Sequence, residues 1–349
     1  KSNIFWDVLK EVYENNFFEK SFNKFFWTYR SMFISIMNLF QNIDIEADIY
    51  HSVSTGYAGF LGALLRYKYK SPYIITEHGI YPREREEEIL KSKWVSKEYK
   101  NLWINYFYFI SKVAYFNVDK IITLFNKNLD IQHKIGAPKE ITEIIPNGVN
   151  LEKLKFVNNK TFNKEKLIIG SVLRVVPIKD VMTLIRAFKI LTYSLENVYL
   201  KIIGPVDEDK DYYKQCRDLV NMLKLNEKVE FTGKVDVLEY YKEMDCLVLT
   251  SISEGQPLVI LEAMAIGLPI VATDVGACRE MVRNNDNEPC GYITNLASPS
   301  NTAEKIIEIF KDKERYQEFR INGRKRVEEF YSKSKFIDSY YKVYTEIGG

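Results

Sequence analysis

The sequence predicts an α/β protein built as two doubly wound, parallel-sheet domains that face each other across a cleft. Three observations carry that prediction. From residue 47 onward, short unbroken apolar runs alternate with amphipathic segments, the pattern of βαβ units whose strands are covered on both faces. The series is interrupted once, by the turn-forming IPNGVN at 145–150 and the polar stretch LEKLKFVNNKTFNKEK. A second alternating series then begins. The 349 residues suffice for two domains. The expected division is an N-terminal domain over 1–150, a C-terminal domain over 151–330, and a last helix over 331–349 that packs back toward the first domain.

The elements follow in order. Residues 1–41 have helical period and many aromatics, as in FNKFFWTYRSMFISIMNLF, and read as core helices because acidic and basic residues are mixed among them. ADIYHSV (47–53), PYIITE (72–77), DKIITLF (119–125) and EITEIIP (140–146) read as buried strands, with helices at 56–70 and about 97–117 between them. In the second series the strands are LIIGSV (167–172), NVYLKIIG (197–204), KVEFTG (228–233), DCLVLTS (245–251) and PIVATD (269–274). A last amphipathic helix covers about 334–346.

Composition excludes several classes. Lys+Arg number 49 and Asp+Glu 47, for a net charge of +2, so no global field points to nucleic acid. Cys216, Cys246, Cys278 and Cys290 lie far apart with no C-x-x-C pair, which suits reduced thiols in the cytoplasm better than a disulfide framework or a zinc site. His51, His78 and His133 are too few and too scattered for a metal cluster. The most lipid-like run, YFYFISKVAYFNV at 106–118, is broken by Lys112 and reads as a buried helix. The amphipathic start argues against a signal peptide, and the missing initiator Met points to a fragment. Neither series carries a G-x-G-x-x-G after its first strand. STGYAGFLG supplies only Gly56, Gly59 and Gly62 at three-residue spacing, and there is no Walker A motif, which disfavours dehydrogenases and P-loop NTPases.

The chemistry concentrates in SEGQPLVILE (253–262). Glu254 and Glu262 lie eight positions apart around Gly255, Gln256, Pro257 and Leu258. Pro257 suits the first position of a helix, because its missing N–H would be unpaired there. The free N–H groups of Leu258 and Val259, at the positive end of the helix dipole, then form a phosphate site that Gly255 lets a ligand approach. The two carboxylates bracket a diphosphate, one toward the hydroxyls of a sugar and the other toward those of a ribose. Arg174 and Lys179, in the loop after strand 167–172, are placed by strand order beside 253–258. There they would neutralise a diphosphate leaving group. Asp207 and Asp209 form a D-x-D, but their position after a Gly-Pro turn and before a helix makes N-capping the better reading than a metal site.

Together, the paired glutamates, R-x4-K, IPNG and EAMAIGLPIVATDVGACRE (262–280) resemble the retaining glycosyltransferases of family 4, which have the GT-B fold. HSVSTGYAG (51–59), TEHGIYPRER (76–85), GPVDED (204–209) and TSISEGQPLVILEAMA (250–265) resemble the PelF-like branch of bacterial exopolysaccharide synthesis, over essentially the whole chain. The resemblance implies a UDP-sugar donor such as UDP-glucose, no cofactor, no obligatory metal, and transfer of a hexosyl unit with retention. The acceptor it implies is a growing polysaccharide or a lipid-linked species. Its further partner is a membrane-bound polysaccharide export complex, which would hold a cytoplasmic chain at the inner face of the membrane.

Carried across by position, Arg174 and Lys179 hold the diphosphate. Glu254 binds the donor sugar and Glu262 the ribose, while Gly255, Gln256, Pro257 and Leu258 line the pocket, all but Pro257 offering a backbone N–H. Gly233, Lys234 and Val235 meet the uracil edge. His78 in TEHG is the cleft histidine near the reacting sugar. Gly56 and Tyr57 at a helix start, and Arg83 and Arg85 in the loop after His78, are acceptor-side candidates. Family members usually open with a strand and a Gly-rich loop, which residues 1–46 do not supply, so the first domain is expected to lack its first βα units. The alternatives are a nucleotide-sugar epimerase and a nucleotide-sugar-binding, non-catalytic subunit of a synthesis complex.

Overall fold

The computed structural model describes residues 3–158, 160, 162, 166–283 and 288–348. Asn159, Thr161 and residues 163–165 of the polar stretch after IPNG lie outside the described residues. The chain divides into two compact units. One comprises the residues up to Thr123, Leu129–Glu143 and those from Glu346 on; the other comprises Leu124–Asn128 and Ile144–Thr345.

In the first unit, helices α1 (Asn3–Asn16) and α2 (Phe22–Asn42) precede β1 (Tyr50–Ser52), α3 (Gly56–Tyr69), β2 (Tyr73–Glu77), α4 (Tyr81–Lys91), α5 (Lys100–Phe116), β3 (Lys120–Thr123), most of α6 (Asn126–Ile135) and most of β4 (Thr142–Ile144). The sheet runs β1-β2-β3-β4, and β2 pairs in parallel with β1 and β3. Every residue of β2 (YIITE) is buried, which accounts for its lack of alternation. Gly62 of α3 belongs to packing rather than to phosphate binding: a Cβ there would stand 2.2 Å from the Tyr73 ring. Helix α5 is apolar nearly all round because both sides are covered. Ala114 and Tyr115 join a core with Tyr73 and Ile75, while Trp103, Tyr106 and Phe107 join Leu9, Phe25 and Met32 of α1 and α2.

The second unit holds β5 (Leu167–Val172), α7 (Val181–Ser194), β6 (Val198–Ile203), α8 (Lys210–Met222), β7 (Val229–Gly233), α9 (Val237–Glu243), β8 (Cys246–Leu249), α10 (Leu258–Ile266), β9 (Ile270–Thr273), α11 (Cys278–Val282), β10 (Gly291–Thr294), α12 (Pro299–Lys311), α13 (Lys313–Phe330) and α14 (Lys333–Gly348) up to Thr345. The parallel sheet has the order β10-β9-β8-β5-β6-β7. From β5 the chain winds outward through β6 and β7, then returns to the other side of β5 with β8. Loops leaving the C-terminal ends of β5 and β8 therefore diverge at a topological switch point, where open α/β sheets bind ligands. Strand β10 is an element the sequence reading did not include. Asp180, Asp209, Asp236 and Asp312 each cap a helix by accepting from a backbone N–H one turn in.

Both units are thus the parallel α/β sheets expected. All four cysteines are buried and free. Among the described residues no helix is long and apolar enough to cross a membrane.

Candidate functional site

The loops after β5 and β8 are bound to each other by a backbone hydrogen bond and by a threonine hydroxyl. Ile252 N–H donates to Ile178 O at 2.8 Å, and the Thr250 hydroxyl reaches Lys179 O at 3.2 Å and Asp180 O at 3.0 Å. Asp180 takes a left-handed conformation (φ 45°) as N-cap of α7 and accepts from Thr183 N–H. That sharp turn leaves Lys179 at the rim of the sheet, where its Nζ donates to Glu254 Oε1 at 2.5 Å. The two side chains are only 17% and 10% exposed, so this ion pair is shielded from solvent more than a surface bridge is. An ammonium carries three donors and a carboxylate about four acceptor positions. Each partner therefore keeps free hydrogen-bonding capacity while holding the other in place.

The turn after β9 clamps the glutamate loop from the opposite side. Ala277 N–H donates to Gly255 O at 2.9 Å, and the buried Thr273 hydroxyl donates to Ser251 O at 2.6 Å. Gly276 has φ 51°, and a Cβ there would lie 2.3 Å from both Glu254 O and Gly255 O. Only glycine permits that approach. Gln256 is 8% exposed and accepts from Asn147 N–H at 2.7 Å, so its side chain is committed to the IPNG segment.

Pro257 differs from expectation by one position. It is the N-cap, in extended conformation, and Leu258 is the first helical residue of α10. A proline fits there because an N-cap residue needs no helical N–H bond. Leu258 and Val259 still carry first-turn N–H groups without intrahelical acceptors. Glu262 is the single charged residue of α10 (LVILEAMAI), and its Oε2 accepts from the Tyr241 hydroxyl at 2.8 Å. Burial pushes the Glu262 carboxyl above its usual range.

Arg174, two residues beyond β5, pairs with Glu208 at 2.8 Å across side chains 57% and 41% exposed. So exposed a pair contributes about 0–1 kcal/mol, and a phosphate could readily replace the carboxylate. Gly233 (φ 69°) ends β7, and its carbonyl accepts from Gly204 N–H at 3.1 Å. Lys234 and Val235 are exposed beyond it. Asp209 of the D-x-D spends Oδ1 on Tyr212 N–H at 2.9 Å, the capping role expected of it. The structure thus joins Lys179 directly to Glu254, and sets Arg174, Gly233–Val235 and Glu262 on loops or a helix at the same strand ends. A cavity of about 380 Å³ in this unit, bounded by Leu124, Phe125, Gln256, Ala277, Glu280 and Tyr331 among others, includes neither Lys179, Glu254 nor Glu262.

In the first unit, His78 is exposed on the turn after β2. Directly before it, fully buried Glu77 accepts from Thr55 Oγ1 at 2.7 Å, Gln132 Nε2 at 2.8 Å, Tyr81 N–H at 3.3 Å and, closer still, the Tyr115 hydroxyl. His51 Nε2 lies 2.9 Å from Thr76 Oγ1, and burial lowers its pKa, with His78 adding to the shift. Gly56 (φ 67°) does open α3, where the Tyr81 ring leaves no room for a Cβ. Tyr57 packs edge-on to Phe107. Arg83 and Arg85, expected in a loop, are in α4. Pro82 pre-sets the first turn of that helix, and buried Ile89 anchors a segment otherwise polar all round. Arg85 pairs with Glu88 at 2.5 Å and stacks on Tyr81.

Burial raises the Glu77 pKa against the opposing effect of its four hydrogen bonds. The folded state then holds the proton to higher pH than the unfolded chain, whose carboxyl titrates near about 4.3. Stability from this group is complete below that midpoint and is lost as pH rises through the folded pKa. Relative to Glu77→Gln, the wild-type melting temperature should therefore fall as pH rises from about 4. Parallel thermal scans across pH check this, and a constant difference between the two would contradict it.

The chain thus has two parallel α/β sheets, the second with a cation–carboxylate pair at its switch point, and its structural neighbours have the GT-B fold. The chain belongs to the family described as Glycosyl transferases group 1, which residues 152–326 match. Residues 1–140 match a domain of unknown function, DUF3492. Over 306 residues the chain is 31% identical to an uncharacterized glycosyltransferase of Methanocaldococcus jannaschii, covering 86% of this chain and 76% of that one. It is 28% identical over 305 residues to the UDP-Gal:alpha-D-GlcNAc-diphosphoundecaprenol alpha-1,3-galactosyltransferase of Escherichia coli, covering 80% and 70%. The crystal structure of Anabaena HepE in complex with UDP matches with a TM-score of 0.69 at 19% identity, over 90% of this chain and 81% of that one.

Proposed function

We propose that the chain transfers a hexosyl unit from a UDP-sugar to a growing exopolysaccharide or lipid-linked acceptor, with retention at the anomeric carbon and no obligatory metal, as a PelF-like member of family 4. The observation that carries this reading is the shielded Lys179–Glu254 pair, 2.5 Å across, beside the open N-terminus of α10. The Escherichia coli relative, by its name, uses UDP-Gal and a diphosphoundecaprenol-linked acceptor, which supports the donor and acceptor classes.

The bond between the sugar's anomeric carbon and the β-phosphate oxygen breaks, and UDP departs. The acceptor oxygen bonds to the same face of that carbon, and its proton passes to the departing phosphate oxygen. No protein nucleophile is needed. Lys179, Arg174 and the N–H groups of Leu258 and Val259 stabilise the charge that grows on the diphosphate, a preorganised electrostatic effect. Glu254 orients the sugar through its hydroxyls, Glu262 accepts from the ribose, and the 233–235 turn meets the base. Asp209 spends one oxygen as a helix cap, which supports reading the D-x-D as a capping segment.

A panel of UDP-sugars screened by thermal shift tests the donor. One hexose nucleotide should raise the melting temperature by several degrees when supplied at about 100 times its Kd, where ligand linkage contributes about 2.7 kcal/mol. Product analysis should then show an α-linked sugar from an α-linked donor. An inverted product, or conversion of the donor without acceptor, would overturn the reading.

A further inference from the structure

Helix α9 begins directly after the 233–235 turn, with Asp236 accepting from Leu238 N–H as its cap. Tyr241, on the last turn of α9, has 0% exposure and packs in the core that includes Ile260 and Met264 of α10. Its hydroxyl donates to Glu262 Oε2 at 2.8 Å. A phenol has one proton to give, so this contact fixes one carboxylate oxygen and with it the plane of the group. Among the described residues Oε1 makes no hydrogen bond, and the Glu262 side chain is only partly buried.

A carboxylate alone in an apolar helix would rotate or take up a proton. Tyr241 stops the first and works against the second. Burial pushes the Glu262 carboxyl up, and the hydrogen bond from Tyr241 opposes that rise; the phenol stays a donor because burial holds it far above its own usual range.

We propose that Tyr241 is a positioning residue that sets nucleotide specificity: by holding Glu262 Oε2 it turns Oε1 toward the vicinal diol of a ribonucleoside diphosphate. The proposal rests on the reading of Glu262 as the ribose contact. It adds that the discrimination between ribose and sugars lacking those hydroxyls belongs to the Tyr241–Glu262 pair.

Calorimetric titration of the full chain with UDP and with 2′,3′-dideoxy-UDP tests it. Wild type should bind UDP about tenfold or more tighter, the scale of one charge-assisted hydrogen bond. Tyr241→Phe keeps the ring in the core and should bring that ratio within about threefold, with dideoxy-UDP affinity unchanged. A merely structural role would weaken both ligands alike and preserve the ratio, which would overturn the proposal. So would a wild-type chain that binds both equally, a result that leaves the UDP-sugar reading standing. Failure of wild type to bind UDP at all would remove both. Should Tyr241→Phe not fold, Glu262→Gln serves, since it keeps a partner for Tyr241 but offers the diol a neutral amide; an unchanged ratio there would also overturn the proposal.

Discussion

Replacing Lys179 by Ala should lower the transfer rate by about 10²–10³-fold or more, the scale of removing one preorganised group that stabilises transition-state charge. Two things are lost at once. The departing diphosphate loses a cation at the switch point between β5 and β8, and Glu254 loses the partner that holds it 2.5 Å away. With Glu254 side-chain exposure at 10%, an unpaired carboxylate there also costs stability. The fold should survive, because the second unit's core is formed by residues such as Val248, Ile260 and Leu261 that do not depend on the pair. Single-turnover rates beside a thermal melt separate these effects. Unchanged turnover in a folded variant would exclude the proposed role of Lys179.

Gly276→Ala should be nearly as damaging without touching a charged group. Its φ of 51° is strained for alanine by about 1–2 kcal/mol. The larger effect is steric, since the new Cβ meets Glu254 O and Gly255 O at 2.3 Å, and backbone cannot step aside as a side chain can. The glutamate loop must shift, and displacement of about 1 Å can cost 100-fold in rate. Gly136→Ala is the control. It has φ 125° but nothing within 4 Å of the new Cβ, so it pays conformational strain alone. Equal transfer rates in the two variants would show that the clamp on the loop is unimportant.

The parts legible in the sequence are those set by local chemistry. Buried parallel strands such as LIIGSV and YIITE stand out because both faces are covered. The pairing of Lys179 with the 253–258 loop followed from strand order alone, since adjacent parallel strands must bring their C-terminal loops together. What stayed hidden was set by packing between distant segments. Tyr241 matters only because α9 lies against α10, a juxtaposition with no trace in the local pattern. Glu208, between Asp207 and Asp209, carried no signal of its own, although the fold puts it against Arg174. Strand β10 is four residues of mixed burial, too short to show a pattern. Helix α4 escaped notice because YPREREEEILK has almost no apolar stripe and depends on its packing against α5.

The central claim is that a diphosphate docks where the β8 loop enters α10, opposite Lys179. Isothermal titration of UDP into the wild-type and Lys179→Ala chains measures it most directly. The account predicts binding by wild type and an affinity at least about tenfold weaker in the variant, the loss of one charge-assisted phosphate contact. Equal affinities in two folded chains would contradict it.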